Sequence, residues 1–367
     1  MVFYSLVFFA LMILAFVQLY SKSPLNKKVL LFSSLLVIQI VVGFRVETGN
    51  DWHDYLHYYE SYGANFVNDY QFEIGFKLYV YLIHLFGFSF QQYIFLHSLT
   101  CLLPIYFMVK DKDYSCFFLL LYFSCYYLII IGDQRNTLSL SLMLLAGDRI
   151  LTDGKNLFDR KNISLISISI LFHYSALISL FGLCLMDLRR RGRLGFSLLS
   201  FIACFILLLY FIQGELLLRV GSYLVDDLSS IFNGSINIEW LYTVKLAKLL
   251  IFFMFLKYFD NVVMRYYIFM IIYTLLFLII LPFSSMIAFR GLNFYAIFEF
   301  LFVLSILIKV FNFGRIRKLP IFIFLLLYII LMGFSTLYKS LNSFSPYDVN
   351  LMLPYKSIFY NSDYVRN

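Results

Sequence analysis

Apolar residues occur in this chain as unbroken blocks separated by short polar connections. The blocks at 2–20, 28–44, 92–109, 115–131, 136–151, 195–213, 240–257, 266–283, 290–309 and 320–338 each approach the ~20 residues that a helix needs to cross a ~30 Å hydrocarbon layer. A membrane barrel would instead alternate apolar and polar positions along segments of ~10 residues. The pattern predicts an all-α, polytopic integral membrane protein with about 10–12 transmembrane helices. Two more apolar stretches, 73–87 and 163–187, fit either as full spans or as re-entrant segments that enter and leave on one side. No internal repeat or low-complexity linker interrupts the chain, so 1–338 reads as a single transmembrane domain and 339–367 as an extracytoplasmic tail.

Composition narrows where chemistry can reside. Of 367 residues, 62% are hydrophobic and only 14% charged, against about 25% charged in a soluble domain. The net charge of +8 does not require nucleic acid, which is not an expected partner, because Lys and Arg concentrate in cytoplasmic loops of membrane proteins. Cys101, Cys116, Cys125, Cys184 and Cys204 all fall inside apolar blocks without metal-ligand spacing, so they read as small buried hydrophobes. The first block lacks a basic leader and a small-residue cleavage site and reads as a retained helix.

Charge also orients the chain. Basic connections are Lys22/Lys27/Lys28, Lys110/Lys112, Arg149/Lys155/Arg160/Lys161, Arg189/Arg190/Arg191/Arg193, Lys257/Arg265 and Lys309/Arg315/Arg317/Lys318. Connections 45–72, 132–135, 214–239, 284–290 and the tail from Lys339 are poor in basic charge. With the first set cytoplasmic, the two sets alternate along ten spans, provided 73–87 and 163–187 are one-sided. A twelve-span alternative flips everything between Gly87 and Phe172 and puts six basic residues outside. Both arrangements leave the N-terminus and the tail outside.

The polar residues on the exterior side form a short catalogue. Arg45 ends the second span, while Arg135 and Arg290 each lie in the first turn of a helix that starts on that side. A helix N-terminus with an arginine fork suits phosphate or pyrophosphate; the competing role is snorkelling at the interface. Glu73 is either a base, an anchor for an arginine, or an i,i+4 partner of Lys77. His173 interrupts an apolar stretch and must face a cavity or hold a hydrogen bond. His84 and His97 read as core histidines.

The loop from Phe44 to Tyr62 is the densest polar stretch. It holds Asp51 and Trp52, and Tyr55, Tyr58, Tyr59 and Tyr62 form a helical stripe of rings that suits either a membrane-interface belt or the apolar faces of sugars. His53 and His57 have the spacing of two zinc ligands, with Asp54 where zinc peptidases carry glutamate. No metal or other cofactor is expected. No glycine-rich phosphate loop or Ser-His-Asp order occurs.

Taken in order, these pieces resemble the EpsG family of bacterial membrane proteins, which includes Wzy-type polymerases of O-antigen, capsule and exopolysaccharide. The resemblance rests on Arg45 with Gly49-Asn50-Asp51 and Tyr55, then Glu73-Ile74-Gly75-Phe76, then Gln134-Arg135-Asn136. Phe172-His173-Tyr174-Ser175-Ala176-Leu177, Arg290 to Tyr295, and Pro354-Tyr355-Lys356-Ser357 complete it. Two departures are visible: Gln134-Arg135 reverses the usual Arg-Gln order, and Asn50 replaces the usual threonine.

The resemblance implies a glycosyltransferase that joins oligosaccharide repeat units carried on undecaprenyl pyrophosphate. The reaction would occur at the outer face of the bacterial inner membrane, by inverting, metal-independent transfer. Arg135 and Arg290, with Arg45 as third candidate, would hold the departing diphosphate, and His173 or then Glu73 would act as base. Asp51 would orient or accept a sugar hydroxyl, and Trp52, Tyr55 and Tyr59 would bind sugar. Implied partners are lipid-linked donor and acceptor, membrane lipid and a chain-length regulator protein. Alternatives are a flippase of lipid-linked oligosaccharide, an O-antigen ligase, and an intramembrane metallopeptidase built on His53 and His57.

Overall fold

The computed structural model describes residues 2–49, 51–61, 72–127, 132–191, 238–255, 260–280, 293–312 and 319–341. Among these, all regular structure is helical. The elements are α1 (Val2–Tyr20), α2 (Pro24–Gly43), α3 (Trp52–Glu60), α4 (Ile74–Leu85), α5 (Phe90–Val109) and α6 (Ser115–Tyr122), which continues as a π-helical turn, Phe123–Tyr127. They go on through α7 (Gln134–Leu151), α8 (Arg160–Phe172), α9 (Ala176–Arg191), α10 (Ile238–Phe253), α11 (Asn261–Ile280), α12 (Asn293–Asn312) and α13 (Leu319–Leu341).

Within the described residues, Val2–Tyr20, Pro24–Gly43, Phe90–Val109, Asn261–Leu278 and Asn293–Asn312 are long and apolar enough to cross a membrane. Ile74–Leu85, Ser115–Cys125 and Pro320–Phe334 are shorter apolar helices. This is a multi-pass helical membrane protein. The expected span at 195–213 lies outside the described residues. Of the expected tail, 339–341 continue α13, and the remainder also lies outside.

Local sequence sets the helix ends. Ser23 caps α2 by accepting from the Asn26 N–H (3.4 Å), and Pro24 takes the first-turn place where its missing N–H costs nothing. Ser89 and Gln92 form a reciprocal capping box at the start of α5. Gly87, at φ +73°, makes the left-handed turn that ends α4 two residues earlier.

The chain divides into two compact units. The first comprises Met1–Leu145, Ser167–Tyr174 and Val303–Asn367; the second comprises Ala146–Ile166 and Ser175–Phe302.

In the first unit, α1, α2 and α6 meet at one end through Gln18, whose amide donates to Ser115 Oγ (2.6 Å) and accepts from Cys116 N–H (2.9 Å). Lys27 pairs with Asp113 there at 2.5 Å, and Tyr20 packs on Phe311. The connections bearing Lys22–Lys28 and Lys110–Asp113 therefore share an end. The twelve-span alternative would put them on opposite sides of the membrane. At the other end of the unit, Gln91 Nε2 donates to the Gly43 carbonyl (3.0 Å) and Tyr93 hydroxyl donates to Gln134 Oε1, joining α2, α5 and α7.

In the second unit, Tyr295 hydroxyl donates to the Ile178 carbonyl (2.5 Å) and accepts from Gly182 N–H (2.9 Å). Lys248 pairs with Glu299 (2.9 Å). Leu157 N–H donates to Asp187 Oδ1 (3.5 Å), so the approach to α8 meets the far part of α9. The 163–187 stretch falls into α8 and α9, with 173–175 between them outside either helix.

Candidate active site

Three distant segments of the first unit meet at Glu73. Its Oε2 accepts from Arg135 Nη1 at 2.7 Å, and its Oε1 lies 2.7 Å from His173 Nδ1. Local structure explains each placement. Glu73 is the extended residue immediately before α4, so its side chain is not committed to a helix face. Arg135 falls in the first turn of α7. His173 follows α8, its N–H still accepted by the Ser169 carbonyl (3.0 Å) before the chain breaks into α9.

Small residues bring these segments close. Ser139 of α7 and Ser169 of α8 are fully buried and bond reciprocally, with Ser169 Oγ donating to the Ser139 carbonyl (2.7 Å) and Ser139 Oγ to the Ser169 carbonyl (2.8 Å). Serine pairs of this kind let membrane helices approach closely and satisfy polar groups away from water.

The guanidinium of Arg135 is held on three sides. Besides Glu73, its Nε donates to Tyr55 hydroxyl (3.4 Å), and its Cζ stands 4.8 Å from the Phe72 ring centroid. Arginine suits this setting because its planar fork bonds along its edge and stacks on its face. Glu73 is only 6% exposed, and burial alone would raise its pKa. The hydrogen bond and charge of His173 and the charge of Arg135 outweigh that and lower it to about 2. Glu73 is therefore an ion at neutral pH, and a weak base. Burial, with Asp133 adding to it, raises the Tyr55 hydroxyl and keeps it neutral.

The loop before α3 winds around Arg45. This residue is 3% exposed; its Nη1 donates to the Thr48 carbonyl (2.7 Å), and its Cζ lies 5.5 Å from the Trp52 ring centroid. Glu47 at φ +47° and Gly49 at φ +113° allow the chain to turn this tightly. Arg45 is thus engaged in shaping the loop. Arg290 lies outside the described residues.

The candidate sugar-binding rings are buried. Trp52 packs edge-on against Phe90, and Tyr55 packs on Phe72 and Phe76. Tyr59 stacks on Tyr93 and donates to the Phe88 carbonyl (2.6 Å). Their faces are covered by other rings, because the stripe they form is the apolar side of α3. Asp51 is partly exposed at the cap position of α3 and makes no side-chain cap bond. His53 and His57 occupy the exposed face of α3. Of the two expected core histidines, His97 is buried and His84 is not: it lies exposed on α4, with the Tyr59 ring against it at 5.4 Å.

Three participants escaped the sequence reading. Phe72 forms the platform under Arg135, Tyr93 anchors Gln134 next to it, and Asp133 brings a second carboxylate to the start of α7. Only Asp133 left a local signal, an acidic residue just ahead of a helix that opens with arginine.

These features define a class: a multi-pass helical membrane protein with an arginine–carboxylate–histidine group at one end of a helical unit. The chain belongs to the EpsG family, whose model matches residues 28–349 and whose members are Wzy-like polysaccharide polymerases. No curated protein and no solved structure matches it.

Proposed function

We propose that the chain is a glycosyltransferase that polymerises oligosaccharide repeat units carried on undecaprenyl pyrophosphate. The observation that carries this reading is Glu73 bridging Arg135 and His173. A carboxylate on Nδ1 favours the tautomer whose Nε2 accepts a proton, and it stabilises the imidazolium that results. His173 is then the base, and Glu73 orients it.

In the reaction, a hydroxyl of the acceptor repeat unit attacks the anomeric carbon of the donor glycan. The new carbon–oxygen bond forms as the bond to the diphosphate oxygen breaks, and the hydroxyl proton passes to His173 Nε2. A single displacement of this kind inverts the anomeric centre. Undecaprenyl pyrophosphate leaves with its charge balanced by Arg135 and the positive end of α7, with Arg290 as a further candidate.

The first unit gathers Lys22–Lys28 and Lys110–Asp113 at one end and Glu73, Arg135 and His173 with the other end. The positive-inside rule makes the first end cytoplasmic, which turns the site to the outer face of the inner membrane, with both termini outside. The interrupted pair α8–α9 also suits a carrier, so a flippase is the alternative. Purified protein in liposomes with extracted lipid-linked repeat units separates the two. Longer glycans mean polymerase, and movement across the bilayer without new glycosidic bonds overturns the reading. Transfer only to lipid A-core would indicate a ligase.

A further inference from the structure

Asp133 holds the cap position of α7 with its main chain: its carbonyl accepts from the Thr137 N–H (3.0 Å) and hydroxyl (2.9 Å). Aspartate at this position ordinarily turns its side chain onto the exposed N–H groups of the first turn. Here it does not. Oδ1 is buried without a hydrogen-bond partner, and among the described residues the carboxylate makes no ion pair. Leaving a buried acceptor unsatisfied is costly.

The turn is pinned from both sides. Gly49 packs so closely that a Cβ there would come 3.2 Å from Gly132 Cα, and Tyr93 hydroxyl holds Gln134 on the other flank. The charge of Asp133 reaches both Tyr55 and Arg135, so the carboxylate belongs to the site. Glu73, another carboxylate there, has both oxygens engaged.

A carboxylate oxygen without a partner calls for a hydrogen-bond donor, and a sugar hydroxyl supplies one where a diphosphate chiefly accepts. We propose that Asp133 is a substrate-binding residue that accepts a hydrogen bond from a sugar hydroxyl of the repeat unit. This rests on the polymerase reading and adds to it: Arg135 addresses the lipid diphosphate, and Asp133 the saccharide.

The test uses full-length protein in nanodiscs, Asp133→Asn and Asp133→Ser, and two probes. One probe is the lipid-linked repeat unit extracted from cells lacking the polymerase; the other is sugar-free undecaprenyl pyrophosphate. Asn and Ser both cap helices well, so a purely structural role would survive either change. The expected result is a rise of about 10-fold or more in the half-saturating concentration of the saccharide-bearing lipid, the cost of a lost charged hydrogen bond. Affinity for the sugar-free lipid and the melting temperature should hold.

Unchanged affinity for the saccharide-bearing lipid in both variants overturns the proposal. A fall in melting temperature that matches the loss of binding also overturns it, since capping would then be the residue's role. Wild-type protein that binds the saccharide-bearing lipid without extending it sinks the polymerase reading alone, and the Asp133 comparison still decides this one.

Discussion

Gly75 lies directly against Leu171: a Cβ at Gly75 would stand 2.7 Å from both the carbonyl carbon and the oxygen of Leu171. Each residue is two positions from a member of the site, Glu73 on one side and His173 on the other. The contact is thus the hinge on which the carboxylate–imidazole distance depends. Backbone cannot yield as a flexible side chain does. Gly75→Ala should push α4 away from α8, destabilise the protein by about 1–3 kcal/mol, and reduce chain lengthening by about 10-fold or more, because small misplacements weigh heavily on catalysis. Thermal melting and glycan ladders measured side by side check it; a variant with wild-type ladders counts against the contact's role.

Arg135 should not tolerate lysine. An ammonium cannot bond Glu73 and Tyr55 from two nitrogens of one plane while the face of that plane stacks on Phe72. Arg135→Lys is expected to cost about 100-fold in polymer formation, close to Arg135→Ala, with single-unit glycans persisting. Gel profiles of cell-surface glycan at matched protein levels provide the measurement.

Acid should act on stability through Glu73. Its folded pKa, about 2, lies below the ordinary carboxylate value of 4.5. A lowered pKa contributes stability that is complete above the ordinary value and is lost as pH falls from about 4.5 toward 2. Wild type should lose melting temperature across that window more steeply than Glu73→Gln. At neutral pH, Glu73→Gln should slow polymerisation by about 100-fold or more, because the amide no longer orients and stabilises the imidazole. Parallel slopes in acid for the two proteins would refute the pairing.

Labelling from each side of the membrane checks the arrangement of the first unit. Cysteines introduced at Lys27 and Asp113 should react with an impermeant reagent only from the cytoplasmic side, and a cysteine at the exposed His53 only from outside. The native Cys101, Cys116 and Cys125 are buried and should stay silent. Labelling of 27 and 113 from opposite sides would select the twelve-span alternative. Removing the Lys27–Asp113 pair should change stability by at most about 1 kcal/mol, since both side chains are partly exposed at 30% and 57%.

The block pattern by itself determined that the protein is helical and multi-pass, because each block must satisfy its own backbone hydrogen bonds in lipid and only a helix does so. It also singled out Glu73, Arg135 and His173, since polar groups are costly in such a chain and few candidates exist. Their meeting was not legible. Residues 62 and 100 positions from Glu73 are joined by close helix packing at Ser139, Ser169 and Gly75, which no periodicity encodes. Tertiary packing also decided the aromatic loop: the spacing of Trp52, Tyr55 and Tyr59 suits a sugar platform or an interface belt equally well. Phe72, Phe76 and Phe90, brought from other segments, cover those rings, and burying apolar faces against one another is what stabilises α3 against the rest of its unit.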